Sequence, residues 1–225
     1  MIQQKFAFPE FARPLFSDRV AMAAADPRAP MPPLMGDEVL AIEHVTSARA
    51  REFGAGRDAA RAAMELLGYA PRPVLQGEDR APVWPAGLTG SITHTDRSCL
   101  AVVTDAPEIL ALGVDLELTT PLNPALWPEI CTADEMTWLS SLGPSQRGHF
   151  AKLIFSAKES VYKAQFQISR TLIDFHAISL SIDLQNRAFA AKLQQTLPGF
   201  AKGDILNGCF AILSDHFVTA VELTG

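Results

Sequence analysis

Short β-prone segments occupy the middle and the C-terminal end of the chain. Residues 90–95, 99–105 and 112–118 are rich in apolar and β-branched residues, and turn residues separate the first two segments. This pattern predicts three strands. Beyond residue 175, alternating apolar and polar positions predict further strands, at residues 177–184, 189–196, 209–215 and 217–223.

Apolar residues at helical spacing predict two long helices, over residues 37–68 and about 146–168. Between the central strands and the second long helix, Thr132 and Glu135 have the spacing of a capping box. This pair predicts a further helix that begins after Thr132 and runs to about Leu142.

Two segments predict loops because of their composition. Residues 22–36 are rich in Ala and Pro, and residues 70–90 are rich in Pro and Gly. The resulting order of helix, loop, strands, helices and strands predicts an α+β fold. A chain of 225 residues has room for one large domain or two small ones.

The net charge of −6 argues against a general nucleic-acid-binding protein. Three widely spaced cysteines, without a CxxC pair, indicate reduced thiols in a cytoplasmic protein rather than a disulfide framework. No apolar run approaches the about 18 residues that a membrane span needs. Residues 1–14 lack a basic segment followed by an apolar one, so we expect no signal peptide.

The predicted strand at 112–118 carries two acids, Asp115 and Glu117, two positions apart. Residues i and i+2 of a strand share a face, so these carboxylates point the same way, with Cα atoms about 6–7 Å apart. Paired carboxylates resist ionisation unless a positive group lies nearby, and Mg²⁺ prefers such ligands. An edge strand with two solvated acids remains the alternative.

The predicted helix at 146–168 carries a polar row formed by Ser156, Glu159 and Lys163. Glu159 and Lys163 have the i,i+4 spacing of a surface ion pair, worth about 0.2–0.5 kcal/mol. In the alternative interpretation, Glu159 completes a metal site and Lys163 faces a phosphate.

Basic residues and a histidine mark a second candidate site. Arg49 and Arg57 lie eight residues apart, so one helix face could present both to phosphate groups or simply to solvent. Thr93 and His94 end a short strand, where a lone histidine is more often a structural hydrogen-bonding residue than a catalytic one.

Four ordered segments give the chain a family resemblance, over roughly residues 49–165. They are REFGAGR at 51–57, VWPAGLTGSITH at 83–94, GVDLE at 113–117 and FSAKESVYKA at 155–164. In this order they resemble the 4'-phosphopantetheinyl transferases of the type that activates enterobactin and surfactin synthetases. Ordered sets of motifs are far more specific than single matches.

The resemblance implies a fold of two similar α+β subdomains packed pseudo-symmetrically, with coenzyme A between them. Residues 1–112 would form the N-terminal subdomain, which binds the nucleotide of coenzyme A. Residues 113–225 would form the C-terminal subdomain, with the metal site and the catalytic helix. It further implies a cytoplasmic monomer.

The implied reaction transfers the 4'-phosphopantetheine group of coenzyme A to a serine of an apo acyl or peptidyl carrier protein and releases adenosine 3',5'-bisphosphate. Such carriers serve nonribosomal peptide and siderophore, polyketide or fatty acid synthases. Two rival functions stay open: a Mg²⁺-dependent phosphohydrolase, and a non-catalytic module that binds coenzyme A and carriers.

The resemblance also assigns roles to residues. Asp115, Glu117 and Glu159 would bind Mg²⁺, with Mn²⁺ as an alternative, and Glu159 or a water on the metal would act as the base. Lys163 would neutralise the pyrophosphate. The remaining residues implied to bind coenzyme A are Arg49, Arg57, Arg80, Thr93, His94 and Lys158.

Overall fold

The computed structural model of the protein describes residues 15–213 and 215–225. Residues 1–14, on which the signal-peptide argument rests, lie outside this range, as does Ser214 in the predicted strand 209–215. The chain divides into two compact units: unit 1 ends at Leu112 and includes Gly225, and unit 2 is Gly113–Thr224. Within the described ranges, every helix is too short or too polar to cross a bilayer.

Unit 1 contains a three-stranded antiparallel sheet and one long helix, α1 (Ser47–Leu66). The sheet has the order β1-β5-β4. Its strands and those of a short hairpin are β1 (Ala21–Ala25), β2 (Leu75–Gln76), β3 (Pro82–Val83), β4 (Thr89–His94) and β5 (Cys99–Thr104). Three small buried residues of α1, Ala59, Ala60 and Ala63, belong to a core that includes Ala101 and Val103 of β5. Small side chains allow the helix to lie close to the sheet.

The predicted helix over residues 37–68 is divided in the structure. Its first part is a 3-10 helix, Gly36–Ile42, and α1 begins only after Thr46, whose hydroxyl accepts a hydrogen bond from the backbone N–H of Arg49. The N-terminal part of the predicted loop 22–36 is also different, because β1 forms there and pairs with β5 from Ala21 to Ala25. The predicted strands at 90–95 and 99–105 are confirmed as β4 and β5.

Unit 2 contributes to a five-stranded sheet of order β6-β10-β9-β8-β7. The strands are β6 (Ile109–Leu118), β7 (Ile178–Asp183), β8 (Ala188–Leu193), β9 (Ile205–Ile212) and β10 (His216–Thr224), and the helices are α2 (Trp127–Ile130), α3 (Ala133–Ser141) and α4 (Pro144–Ser169). Helix α4 packs against β10. Its predicted apolar stripe is buried, for example at Ile154, Ala157 and Val161.

Several predictions for unit 2 are confirmed. The capping box of Thr132 and Glu135 is present at the start of α3, which ends at Ser141 with Leu142 as its C-cap. Helix α4 extends the predicted helix by two residues at its start and one at its end. The C-terminal strands form as an antiparallel set. Together with unit 1, these elements confirm the α+β fold.

Candidate active site

Strand β6 and helix α4 approach each other closely in unit 2, at a position where the sequence has glycine. A Cβ atom on Gly113 would lie 1.9 Å from the backbone oxygen of Ser160. Because any side chain would collide with backbone there, only glycine allows this approach. The predicted acids Asp115 and Glu117 follow on β6, next to the helix that carries Glu159.

Asp115 is buried and makes hydrogen bonds through both carboxylate oxygens. Lys163 donates from Nζ to Oδ1 at 2.7 Å and to the backbone oxygen of Val114 at 3.1 Å. Ser156 donates from Oγ to Oδ2 at 2.9 Å. The predicted residues Asp115 and Lys163 are thus brought together, and the nearest positive charge to this carboxylate is an ammonium group.

Glu117 has a partner that the sequence reasoning missed. Lys152 donates from Nζ to Oε2 of Glu117 at 2.9 Å, and both side chains are largely buried. Lys152, Ser156, Glu159 and Lys163 are separated by four, three and four residues, so they lie along one face of α4. Extending the polar row of the predicted helix by one turn toward its N-terminus would have found Lys152.

The three predicted metal ligands act on one another electrostatically. Burial raises the pKa of Glu117; the hydrogen bond from Lys152 opposes this shift, and the charge of Asp115 adds to it. Burial likewise raises the pKa of Glu159, where the charge of Lys163 opposes the shift and both other acids reinforce it. Both shifts favour the neutral acid, so additional positive charge nearby would stabilise the ionised carboxylates.

The donor chemistry of this cluster fits Mg²⁺, which prefers several carboxylate oxygens and water. In the part of the chain that the structure describes, however, no three His, Cys, Asp or Glu side chains are already arranged as a metal-binding group. Two of the acids instead form ion pairs with lysines, at 2.7 Å for Asp115 and 2.9 Å for Glu117. Lysine ammonium groups therefore supply the positive charge that the buried acids require.

The ammonium group of Lys158, which was predicted to bind coenzyme A, makes its contacts inside unit 2. Its side chain is 0% exposed and pairs with Glu135 at 2.8 Å. Its ammonium group also donates to the backbone oxygens of Ile130 at 2.8 Å and Phe175 at 2.9 Å. An ammonium group has three hydrogens, and these three acceptors can use all of them. The geometry assigns Lys158 to the interior of unit 2 as a structural residue.

A pocket lies beside Glu159 of α4. Its volume is about 180 Å³. The lining combines Lys158, Glu159 and Asp174 with the aromatic rings of Tyr162 and Phe175 and with the aliphatic side chains of Ile173 and Ile178. A pocket with this mixture suits an uncharged chain that carries a few polar groups.

In unit 1, Arg49 and His94 are in direct contact. The Nη1 of Arg49 donates to Nε2 of His94, so the ring proton of a neutral His94 lies on Nδ1. This Nδ1 faces Oε2 of Glu52 at 3.5 Å, and Arg49 donates to the same oxygen at 3.3 Å. Glu52, which the sequence reasoning did not select, therefore joins two of the predicted residues. Thr93 precedes His94 on β4 and is buried.

Arg57 and Arg80 have different surroundings. Arg57 is buried against the ring of Phe53 and donates from Nε to the backbone oxygen of Val74 at 2.8 Å. Burial lowers the pKa of Arg57 to about 10, so it stays charged at neutral pH. Arg80 is exposed in the turn between β2 and β3, where its φ of 65° is left-handed and its N–H donates to the backbone oxygen of Gly77.

Known proteins match both units. The 4'-phosphopantetheinyl transferase N-terminal domain matches residues 37–104, and the 4'-phosphopantetheinyl transferase superfamily matches residues 111–221. The 4'-phosphopantetheinyl transferase Svp of Streptomyces mobaraensis is 34% identical over 202 residues, which cover 88% of this chain and 81% of the relative. The chain belongs to the 4'-phosphopantetheinyl transferase family.

Two further relatives extend this family assignment. Enterobactin synthase component D of Escherichia coli (strain K12) is 35% identical over 161 residues, which cover 68% of this chain and 75% of the relative. The 4'-phosphopantetheinyl transferase PptT of Mycobacterium tuberculosis is 28% identical over 156 residues, which cover 69% of this chain and 68% of the relative.

Membership of the 4'-phosphopantetheinyl transferase family makes the chain an enzyme that uses coenzyme A and acts on apo carrier proteins. The two family matches fall on either side of residues 105–110. The residues of the β6–α4 cluster all lie within the superfamily match, and the Arg49–Glu52–His94 cluster lies within the N-terminal domain match.

Proposed function

We propose that this enzyme transfers the 4'-phosphopantetheine group of coenzyme A to a serine of an apo acyl or peptidyl carrier protein in a Mg²⁺-dependent reaction that releases adenosine 3',5'-bisphosphate. The carrying observation is the cluster on β6 and α4, in which Lys163 pairs with Asp115 and the charges of Asp115, Glu117 and Lys163 act on Glu159. Catalysis at a pyrophosphate depends on positioning and on neutralising charge, and this cluster supplies both kinds of group.

In this proposal Asp115, Glu117 and Glu159 hold Mg²⁺. Bound there, the ion would draw negative charge away from the pyrophosphate oxygens. From its place beside Asp115, Lys163 would neutralise the charge that develops on the leaving phosphate. Glu159 would accept the proton of the carrier serine, whose oxygen bonds to the phosphorus that carries pantetheine while the bond from that phosphorus to the bridging oxygen breaks.

We propose that unit 1 binds the nucleotide. Arg49 and His94, with Thr93 beside them, would bind the 3'-phosphate, which would replace Glu52 as their anionic partner. Arg80 is an exposed cation that we propose as a further phosphate contact. Arg57 would act mainly by fixing the segment at Val74, since its guanidinium already donates to backbone oxygens there.

The pocket beside Glu159 is the place we propose for the pantetheine arm. The arm is uncharged and carries amide groups, and the pocket offers aromatic and aliphatic walls with a few polar groups. This assignment would keep the arm next to the carboxylate that we assign as the base.

The carrier domains that we propose as acceptors belong to nonribosomal peptide or siderophore, polyketide or fatty acid synthases. One relative bears the name enterobactin synthase component D, which favours the first class. We further propose a cytoplasmic monomer. The reduced thiols of the three cysteines support this compartment.

The test incubates the protein with coenzyme A, Mg²⁺ and several unrelated apo carriers and then weighs each carrier by mass spectrometry. We expect a phosphopantetheine increment on at least one carrier, lost in Asp115→Ala and kept in Asp134→Ala, an exposed acid at the start of α3. Carriers that all stay unmodified would refute the proposal. Phosphate release without a carrier would indicate a phosphohydrolase, and carrier binding without an increment would indicate a binding module.

A further inference from the structure

Asp115 is held by a buried chain of hydroxyl groups that starts on β10. The Oγ1 of Thr219 lies 3.0 Å from Oγ of Ser156, and Ser156 in turn lies 2.9 Å from Oδ2 of Asp115. Thr219 is also 2.8 Å from the backbone oxygen of Ser156. Both hydroxyl-bearing residues are 0% exposed, so these contacts are isolated from water.

The number of available hydrogens determines which hydroxyl group donates and which accepts in these contacts. The two hydroxyls have two hydrogens between them for three contacts. An ionised carboxylate has none, so the hydrogen of Ser156 goes to Asp115. The hydrogen of Thr219 is then shared between the backbone oxygen and the Oγ of Ser156, and the contact at Oγ holds Ser156 in the rotamer that faces Asp115.

The opposite oxygen of Asp115 accepts from Lys163 at 2.7 Å. A carboxylate that is bound at one oxygen can still rotate about its Cβ–Cγ bond, whereas one bound at both oxygens has a fixed plane. Each carboxylate oxygen has two lone pairs and can accept a hydrogen bond and bind a cation at the same time. Ser156 and Lys163 therefore together determine the plane of the Asp115 carboxylate.

We propose that Ser156, held by Thr219, is a positioning residue that orients Asp115 for a divalent cation. This inference rests on the proposed function, because that function makes Asp115 a metal ligand. Hydrogen bonds to a ligating carboxylate typically change metal affinity by about 10–100-fold when they are removed. Neither hydroxyl needs to touch the cation or the substrate for this effect.

Ser160 offers a matched control on the same helix. It is also 0% exposed, but its hydroxyl donates to the backbone oxygen of Ala157 at 2.8 Å. Ser156→Ala and Ser160→Ala therefore remove the same group from the same helix at the same depth. Thr219→Val removes the supporting hydroxyl at nearly constant volume, and Thr219→Ser keeps it.

The experiment measures Mn²⁺ affinity by titration calorimetry with coenzyme A present and no carrier, so that no transfer takes place. We expect Ser156→Ala to bind Mn²⁺ about 10-fold or more weakly, and Thr219→Val to show a smaller loss. Thr219→Ser and Ser160→Ala should bind as the wild type does. Urea unfolding of each variant shows whether an altered affinity reflects a loss of the fold.

The inference would be overturned if Ser156→Ala binds Mn²⁺ as tightly as the wild type while Asp115→Ala does not bind it. The proposed function would still stand in that case. Equal losses in Ser156→Ala and Ser160→Ala would also overturn it, because they would show a general effect of helix damage. A wild-type protein that neither binds Mn²⁺ nor modifies a carrier would instead overturn the proposed function.

Discussion

Lys158→Met tests whether Lys158 stabilises the fold through its ion pair with Glu135 or binds coenzyme A. The substitution keeps the length of the aliphatic chain and removes the ammonium group, which pairs with Glu135 at 2.8 Å. Glu135 would then be a buried carboxylate without its ion-pair partner. Burial lowers the pKa of Lys158 and the charge of Glu135 opposes this, so the two charged groups depend on each other.

The expected loss of stability is large. Removal of one partner from a buried ion pair costs about 3–5 kcal/mol. Lys158 also loses hydrogen bonds to the backbone oxygens of Ile130 and Phe175, so we expect the upper part of this range. In a protein of this size about 1 kcal/mol shifts Tm by about 2–4 °C, so a loss of about 4–5 kcal/mol gives a decrease of roughly 8–20 °C.

Urea unfolding followed by tryptophan fluorescence measures this change, because Trp127 and Trp138 lie in the helices near Lys158. Lys192→Met, at an exposed position of β8, is the control and should stay within about 0.5 kcal/mol of the wild type.

Kinetics complete the comparison. Lys163→Met should lose transfer activity at a smaller cost in stability, because the Lys163 side chain is 25% exposed. Lys158→Met at low temperature, where it remains folded, should keep the wild-type KM for coenzyme A. A raised KM together with an unchanged free energy of unfolding would refute the structural role and restore the phosphate contact.

Three further predictions follow from the same units. Gly113→Ala should lower the free energy of unfolding in urea by about 3 kcal/mol or more, because the added Cβ would lie 1.9 Å from the Ser160 backbone oxygen. Gly143→Ala is the control, because its added Cβ would lie 3.3 Å from a flexible side chain. Glu52→Gln should lower the KM for coenzyme A but not for 3'-dephospho-coenzyme A, and a raised KM would contradict displacement of Glu52 by the 3'-phosphate. Chelation with EDTA should abolish transfer, which Mg²⁺ or Mn²⁺ should restore, and transfer that persists in EDTA would contradict the metal proposal.

Local signals in the sequence predicted the elements that depend on neighbouring residues. Thr132 and Glu135 are three residues apart, and their capping box is formed as predicted, with Oε2 of Glu135 accepting from the Thr132 N–H at 2.7 Å. The other oxygen of Glu135 accepts from the N–H of Leu180 at 2.7 Å. That contact joins residues 45 positions apart and has no local signature, so the sequence could not reveal that Glu135 also supports β7 and Lys158.

Pairing between distant segments explains the predictions that differ from the structure. Residues 21–25 have an Ala-rich composition without strand periodicity, yet they form β1 because their backbone pairs with β5. Lys152 and Glu117 are 35 residues apart, and their ion pair depends on the close approach of α4 to β6. The fold class and the acids of the site were predictable, whereas the partners of those acids depend on tertiary packing.

The burial of the three cysteines affects how the enzyme meets its co-substrate, which is itself a thiol. Burial raises the pKa of Cys99 to about 12, and those of Cys131 and Cys209 to about 11. The thiolate is the species that attacks a disulfide, and with these raised pKa values almost all of the three thiols are protonated at neutral pH. Oxidised coenzyme A, present as its disulfide, should therefore leave these cysteines unmodified, and the enzyme should keep its activity through changes of redox state that inactivate proteins with acidic thiols.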